Sequence, residues 1–443
     1  MTRPVIILHG WSDTADSFGS LAQFLRERQF SVVDIWLGEY LSMNDEITLY
    51  DLGAAFQRAL AANKISQERH AFDLVVHSTG GLVAREYLVQ QCAGDATRTP
   101  VKHLCMLAPA NFGSPLAKMG KSLVGRLVKG WDWDHFGQTG TRILDALELG
   151  SPYSWTLADQ DLFDPKFPVF QPSNTMATVM VGTIGYDNAL RASLHENGSD
   201  GTVRVATANL NARRFDLVFE STERPVLVER KRSFDEVAFA VFARNHTSIH
   251  EPTSADDGWA TTLVCALATE PDSYAAHCTA CSAVTAATFG AVPARKINRD
   301  WFHEYQHVVT RVHDQFGHPI PDYVLEFYQE RGDADDDVFA KLHNEILEKI
   351  TTNDRDHSYR TFFFDVTDLR AFIDSQGARV DMSLSAAHVS ERILYRNPKA
   401  GVRVFGSKDR TFICPNAPVL VDMQLYRDST DEVFALKKAF PNG

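Results

Sequence analysis

The sequence is poor in cysteine, with six cysteines scattered over 443 residues. That low density excludes a small fold built on a framework of disulfides, and it is compatible with a reducing compartment. No long apolar run opens the chain either, because the stretch Val5–Leu8 is far too short to cross a membrane. We therefore expect no cleaved secretory signal at the N-terminus.

Basic residues are also in deficit, since the chain has 44 Lys and Arg against 57 Asp and Glu and a net charge of -13. Proteins bind phosphate backbones through clustered Lys and Arg, so nucleic acid is not an expected partner. An acidic chain can still bind lipid through apolar contacts. The hydrophobic share of 44% and the charged share of 23% are ordinary for a globular protein with a large core.

Patterns typical of metal sites are weak in this sequence. The pair in Cys278-Thr279-Ala280-Cys281 has no second pair nearby, and we interpret these residues as free thiols. The acidic run Asp333–Asp337 lacks the Gly and the distal Glu of the known calcium loop, which favours a solvated loop. We expect neither a metal nor a cofactor.

The first part of the chain alternates short apolar runs with longer amphipathic stretches. The runs have the composition of strands buried on both faces and lie at Val5–Leu8, Ser31–Asp34, Phe72–His77, His103–Leu107 and Ala177–Gly182. Apolar residues spaced as in helices follow at Ser17–Arg28, Leu49–Ala62 and Gly81–Cys92. This rhythm predicts an α/β fold with a doubly wound, mostly parallel sheet.

A serine stands where the third of these strands gives way to a helix, in Val75-Val76-His77-Ser78-Thr79-Gly80-Gly81. A serine on such a turn projects its Oγ beyond the sheet edge, and the N–H of Thr79 then points at a developing oxyanion. The alternative is a plain helix cap, for which Ser and Thr are also suited. The strand before and the helix after favour a nucleophile at Ser78.

A second motif, Leu8-His9-Gly10-Trp11, follows the first strand directly. Its Trp11 N–H would supply the other donor of an oxyanion hole, beside the N–H of Thr79. A glycine turn after a strand is common and weak by itself. Together with the serine turn it accounts for both donors.

These motifs resemble the α/β-hydrolase superfamily, and within it the bacterial lipases and esterases that pair a His-Gly turn with a His-Ser-x-Gly-Gly elbow. The resemblance covers residues 4–270 and includes Asn111-Phe112-Gly113-Ser114, which is similar to the segment that opens the lid of those lipases. It departs at Val76, where the family's Gly-x-Ser-x-Gly has its first Gly. The resemblance implies an α/β-hydrolase fold and a serine ester hydrolase.

A serine hydroxyl needs a base and an acid that orients it, in the chain order Ser, Asp, His. The segment Gly198–Val203 is similar to the turn that carries the acid in those lipases, which makes Asp200 the candidate. Asp187 lies nearer the end of the fifth strand and remains the alternative acid.

The candidate base is His246, which follows the apolar stretch Val237–Phe242 and precedes a helical stretch. His250 is the alternative base. The predicted site therefore combines the nucleophile Ser78 with Asp200 and His246.

The insertion over residues 113–175 is too long for a βα loop, and we predict that it forms a lid or cap. It is rich in bulky aromatic residues, namely Trp131, Trp133, Phe136, Tyr153, Trp155, Phe163, Phe167 and Phe170. We interpret them as an acyl pocket for a lipid-like ester, with packing of the cap on the body as the alternative. The lid is also the part expected to contact a membrane surface.

The pattern changes after residue 270. We predict a catalytic domain over residues 1–270, a linker or loosely packed helix within 271–300, and a β-sandwich domain, loosely immunoglobulin-like, over 301–443. Its predicted strands include His307–His313, Asp322–Tyr328, Arg360–Val366, Ala378–Leu384, Gly401–Phe405 and Val419–Tyr426. The partner of this domain stays open.

The leading hypothesis is a serine carboxylic ester hydrolase that acts on hydrophobic acyl esters, phospholipids among them, through an acyl-enzyme. An acyltransferase on the same triad is the alternative, and only its acceptor would differ. A third hypothesis is a binding or targeting protein whose C-terminal module dominates. The expected location is the cytoplasm, or outside the cell after export without a cleaved signal peptide.

Overall fold

The computed structural model describes residues 3–9, 15–35, 46–121, 141–186, 195–219, 225–253, 257–291, 299–328, 342–376, 379–398, 401–406, 410–434 and 436. The chain divides into two compact units. The first comprises Met1–Arg213, Lys231–His307 and Pro415–Pro418, and the second comprises Arg214–Arg230, Val308–Cys414 and Val419–Gly443.

The strands up to residue 242 are, in chain order, β1 Pro4–Leu8, β2 Ser31–Ile35, β3 Phe72–His77, β4 Val101–Leu107, β5 Met176–Gly182, β6 Arg213–Phe219, β7 Val226–Arg230 and β8 Ala238–Phe242. In the first unit, the described strands form a parallel sheet in the order β2-β1-β3-β4-β5-β8. The residues of β3, β4 and β5 are buried throughout, as their apolar composition predicts.

The described helices of the first unit are α1 Ala15–Glu27, α2 Leu49–Ala62, α3 Gly80–Cys92, α4 Leu116–Lys121, α5 Thr141–Ala146, α6 Pro152–Asp161, α7 Val205–Ala208, α8 Trp259–Ala268 and α9 Tyr274–Gly290. Across the described residues, none of the helices has both the length and the apolar content that a membrane span requires. The sheet order reverses between β1 and β3, and ligands of such sheets bind beyond the carboxyl ends of the strands at that point. Ser78 directly follows β3, so it lies there.

Helix α9 lies where a linker or a loosely packed helix was predicted, and it is the helix alternative that the structure shows. It packs against the edge strand β8, where the Thr285 hydroxyl accepts a hydrogen bond from the Val241 N–H at 3.1 Å. The Thr288 hydroxyl donates to the Val241 carbonyl at 2.7 Å. These hydroxyls occupy backbone groups that an edge strand leaves without a neighbouring strand. The Ala, Ser and Thr content that indicated a linker therefore belongs to a helix that covers the sheet edge.

All six cysteines are free thiols, as expected from their spacing. Cys278 and Cys281 lie buried in α9, and burial raises the pKa of the Cys281 thiol to about 12. A thiol with so high a pKa is a poor nucleophile. The acidic run Asp333–Asp337 lies outside the described residues.

The second unit is rich in strands. Those that follow residue 300 are β9 Tyr305–Asp314, β10 Tyr323–Tyr328, β11 Leu347–Thr352, β12 Tyr359–Asp365, β13 Arg379–Ala386, β14 Ile393–Tyr395, β15 Val402–Gly406, β16 Pro418–Leu425 and β17 Arg427–Ser429, with one described α-helix, α10, at Val366–Gln376. The described strands form sheets in the orders β11-β12-β9-β16-β6-β7, β10-β13-β15 and β14-β17. These sheets are consistent with a β-sandwich, and the immunoglobulin-like topology stays a prediction.

The hairpin of β6 and β7 differs from the predicted domain boundaries. It lies within residues 1–270, yet Arg214–Arg230 belongs to the second unit, where β6 pairs beside β16. Phe215, Leu217 and Phe219 of β6 are all buried, and such an alternating strand needs a partner sheet to cover its apolar face. The catalytic part of the chain is therefore interrupted by a piece of the other unit.

Candidate active site

Ser78 stands on a sharp turn between β3 and α3. Its φ angle is 54°, in the left-handed region that residues other than glycine seldom adopt. Two backbone bonds hold the turn, one from the Ser78 N–H to the Leu107 carbonyl at 3.0 Å and one from the Gly81 N–H to the Ser78 carbonyl at 3.1 Å. Strained residues of this kind cluster at active sites.

The two glycines after the turn explain how helix and strand approach so closely. A Cβ on Gly80 would lie 3.0 Å from the Leu8 carbonyl oxygen and 3.4 Å from the Cβ of Val76. A Cβ on Gly81 would lie 2.7 Å from the Cβ of Pro109. Val76, which replaces the family's first Gly, is itself fully buried in β3, so this position accommodates a valine.

The structure brings the three predicted triad residues together. His246 Nε2 lies 3.2 Å from Ser78 Oγ, and His246 Nδ1 lies 2.8 Å from Asp200 Oδ2. Because a carboxylate only accepts, the Nδ1–H donates to Asp200. The Nε2 lone pair then faces the serine hydroxyl, which is the tautomer that general-base chemistry requires.

Asp200 is fully buried, and a tight turn fixes its carboxylate. Its Oδ1 accepts hydrogen bonds from the Thr202 N–H at 2.9 Å and the Val203 N–H at 2.7 Å. Across the same turn, Arg204 Nε donates to Glu196 Oε2 at 2.6 Å. Asp187, the alternative acid, lies outside the described residues.

His246 is held from two sides. Its backbone N–H donates to the Asp200 carbonyl at 2.9 Å, and its own carbonyl accepts from His77 Nε2 at 3.0 Å. The alternative base, His250, stacks on Phe18 with ring centroids 4.3 Å apart, and His246 occupies the position beside Ser78.

The predicted oxyanion donors are described only in part. Thr79 is buried and directly precedes α3, so its backbone lies at the turn where an elbow donor belongs. Trp11 lies outside the described residues. The pairing of these two donors stays a prediction.

Four aromatic residues of the predicted lid, Trp155, Phe163, Phe167 and Phe170, are buried. This favours packing over an open acyl pocket for these four. Trp131, Trp133 and Phe136 lie outside the described residues, and the Tyr153 hydroxyl donates to Glu86 Oε2 at 2.7 Å.

The sequence reasoning missed two fully buried charged residues near the turn, Arg85 on α3 and Asp161 at the end of α6. The available signal was an Arg directly after the apolar run Leu82-Val83-Ala84. Its partner could not be recognised, because Asp161 is remote in the sequence.

Comparisons with known proteins point to hydrolases. A profile of the palmitoyl protein thioesterase family matches residues 4–132. The structure of phospholipase PlaB from Legionella pneumophila is similar over 100% of this chain and 97% of its own, with 25% sequence identity and a TM-score of 0.82. The same protein in complex with thio-NAD gives a TM-score of 0.81 at 25% identity, with the same coverage of both chains.

The mature lipase BlEst2 from Bacillus licheniformis matches 60% of this chain and 92% of its own, at 16% identity and a TM-score of 0.40. A search of curated proteins finds no significant match. The parallel sheet, the serine turn and the likeness over the whole chain place the protein in the α/β-hydrolase superfamily. Within it, the chain is a carboxylic ester hydrolase.

Proposed function

We propose that the protein cleaves hydrophobic acyl esters, phospholipids among them, with Ser78 as nucleophile, His246 as general base and Asp200 as the acid that orients the base. The proposal rests mainly on the position of His246, whose two ring nitrogens face Ser78 Oγ at 3.2 Å and Asp200 Oδ2 at 2.8 Å. Hydroxyl, imidazole and carboxylate in this order are the machinery of serine acyl transfer.

In the proposed reaction, Ser78 Oγ attacks the ester carbonyl carbon while His246 Nε2 takes the hydroxyl proton. The N–H groups of Thr79 and Trp11 stabilise the tetrahedral oxyanion. The C–O bond to the leaving alcohol then breaks, and His246 gives the alcohol its proton. A water molecule deprotonated by His246 cleaves the acyl-enzyme, which releases the carboxylic acid and restores Ser78. Asp200 stabilises the imidazolium in both halves, and no step requires a metal or cofactor.

Two observations support lipid-like esters as substrates. A structural relative that matches over the full length is a phospholipase, at 25% identity. Beyond the four buried aromatic residues, the predicted lid also contains Trp131, Trp133 and Phe136, and lids with such residues exclude water from hydrophobic substrates. Contact of the lid with a membrane surface is part of the same proposal.

Thioesters are the second candidate substrates. The matching thioesterase profile spans residues 4–132, which include the Ser78 turn. The same acyl-enzyme would form, with a thiolate instead of an alkoxide as the leaving group.

A substrate panel tests the proposal. Purified enzyme is given phospholipid vesicles, a palmitoyl thioester and p-nitrophenyl esters from acetyl to palmitoyl, each beside Ser78→Ala. We expect long-chain esters and phospholipids to release free fatty acid with the wild type alone. Preference for acetyl esters alone would contradict the lipid substrate. Transfer of the acyl group to an added alcohol in preference to water would indicate an acyltransferase.

A further inference from the structure

We infer that Arg85 is a positioning residue for the reaction at Ser78, acting through the backbone of Asn111, and that Asp161 fixes its guanidinium. This inference rests on the proposed function. It concerns a buried pair that touches neither the substrate nor the triad side chains.

Arg85 connects three segments of the first unit from the interior of α3. Its Nε and Nη2 donate to the two carboxylate oxygens of Asp161, at 2.7 and 2.9 Å. Its Nη1 donates to the Asn111 carbonyl at 3.1 Å. The side chains of Arg85 and Asp161 are 0% exposed, so water cannot replace any of these bonds.

The segment that Arg85 holds, Ala110–Ser114, runs from the nucleophile to the acid. At one end, the Ala110 N–H donates to the Ser78 carbonyl at 3.3 Å. At the other end, Ser114 Oγ donates to the Thr202 carbonyl at 2.6 Å. The N–H of Thr202 in turn donates to Asp200 Oδ1 at 2.9 Å. A displacement of this segment therefore moves both ends of the triad.

The middle of the segment has its own anchors. The Asn111 side chain donates from Nδ2 to the Ala208 carbonyl at 2.7 Å, and the Phe112 N–H donates to the Thr207 carbonyl at 2.9 Å. The guanidinium of Arg85 also lies over the Phe112 ring, with Cζ 5.8 Å from the centroid. Arg85 thus completes a set of contacts on both sides of Asn111.

Stability alone does not account for a buried ion pair here, because apolar residues of similar volume often replace such pairs without loss of stability. A guanidinium offers something that apolar residues lack, a rigid fork that binds a carboxylate with two donors and keeps a third for another acceptor. Arg85 uses all three donors, two on Asp161 and one on the Asn111 carbonyl. The role of the pair is therefore to fix the position of the Asn111 backbone.

A neighbouring contact supplies a matched control. The next residue of α3, Glu86, accepts a hydrogen bond from the Tyr153 hydroxyl of α6 at 2.7 Å. This bond ties the same two helices together without reaching Asn111. Glu86→Ala therefore removes a tie between α3 and α6 and leaves the Ala110–Ser114 segment held.

The test compares Arg85→Met/Asp161→Leu, Arg85→Lys and Glu86→Ala with the wild type, using a long-chain ester. The double variant buries no charge, and the lysine variant keeps a cation beside Asp161. At least one of them should therefore keep the thermal unfolding midpoint of the wild type. We expect kcat to fall about 10²-fold in both, with KM within about twofold, as for a small misplacement of reacting groups. Glu86→Ala should keep the wild-type kcat.

Rescue adds a second readout. Guanidinium ion added to Arg85→Ala should restore part of kcat, whereas ammonium should not. A folded double variant or lysine variant with wild-type kcat would overturn the inference and leave the proposed function standing. A wild type that neither hydrolyses esters nor forms a Ser78 adduct would overturn both.

Discussion

The two carboxylate oxygens of Asp200 have different partners. Oδ1 accepts hydrogen bonds from the backbone of its own turn, and Oδ2 accepts one from His246. A substitution can therefore change the catalytic contact and keep the structural ones. In Asp200→Asn, Oδ1 can still accept from Thr202 and Val203, while the new amide faces His246 Nδ1. The imidazole must then accept at Nδ1 and carry its proton at Nε2, where it cannot take the proton of Ser78. We expect kcat to fall about 10⁴-fold.

The thermal unfolding midpoint of Asp200→Asn should stay close to that of the wild type, and ester turnover by the purified variant checks the rate. Asp272→Asn, at an exposed carboxylate, is the control. Unchanged turnover in Asp200→Asn would assign the acid to another residue, with Asp187 as the first to examine.

A substitution at Gly81 tests how closely α3 must approach the segment after β4. In Gly81→Ala the new Cβ would lie 2.7 Å from the Cβ of Pro109, so the segment must shift. We expect a loss of about 1–3 kcal/mol in the free energy of unfolding, as for overpacked sites, measured by denaturant titration. Gly19→Ala is the control, since its Cβ would meet nothing within 4 Å. Equal stability of the two variants would contradict the close approach.

Among single residues, Ser78, Asp200 and His246 could be predicted from the sequence because each lies in a short local motif at an element boundary. Arg85 and His77 were not assigned their partners, since their roles depend on Asp161 and on the His246 carbonyl, which only the folded chain brings near. Residues that act through distant backbone leave no local pattern.

Among the elements, strands buried on both faces were the easiest to predict. The expected Phe72–His77 is found with the same bounds, and the expected His103–Leu107 begins two residues earlier, at Val101. Helix α9 was harder, because its role is to offer hydroxyls to a strand edge rather than an apolar stripe to the core. The hairpin of β6 and β7 was missed because its partner strand lies about 200 residues later in the chain.

The hydroxyls of α9 should contribute measurably to stability. Thr288→Val keeps the shape of the side chain but removes the donor to the Val241 carbonyl, so that a backbone acceptor at the sheet edge loses its partner. We expect a loss of about 1–3 kcal/mol in the free energy of unfolding. Thr279→Val, on the exposed face of the same helix, is the control. A loss no larger than the control's would show that α9 does not protect the edge.

For the molecule as a whole, the second unit contains an ion cluster that should make its stability depend on pH. His313 Nε2 lies 3.1 Å from Asp422 Oδ1, and His313 Nδ1 lies 2.8 Å from the Asp314 carbonyl. Burial alone would lower the pKa of His313, but these two acceptors raise it above its ordinary 6.5. Burial likewise opposes ionisation of Asp422, but His313 and the nearby Arg311 and Arg214 hold its pKa below 3.8.

These two pKa shifts determine how the stability of the folded state changes with pH. His313 stabilises the folded state fully below pH 6.5, and this contribution is lost as the pH rises through the raised pKa. Asp422 contributes above pH 3.8, and its contribution is lost as the pH falls through the lowered pKa. His313→Gln should therefore lower the unfolding midpoint more at about pH 5.5 than at about pH 9, measured by thermal denaturation. His357→Gln, at an exposed site, is the control, and equal effects at both pH values would contradict the cluster.

The whole-molecule organisation was the hardest to predict, because both units are assembled from separate stretches of chain. Residues 415–418 belong with the first unit although they lie near the C-terminus, and residues 214–230 belong with the second. Composition and periodicity report local elements, and a unit built from discontinuous stretches has no continuous signature of its own.

The central claim is that Ser78 is the nucleophile, and one measurement tests it most directly. The enzyme is treated with a fluorophosphonate probe and the adduct is located by mass spectrometry, with ester turnover followed in parallel for Ser78→Ala and for Ser20→Ala, an exposed serine on α1. We predict a single adduct on Ser78, turnover about 10⁶-fold lower in Ser78→Ala, and no change in Ser20→Ala. An adduct on another residue, or undiminished turnover in folded Ser78→Ala, would contradict it.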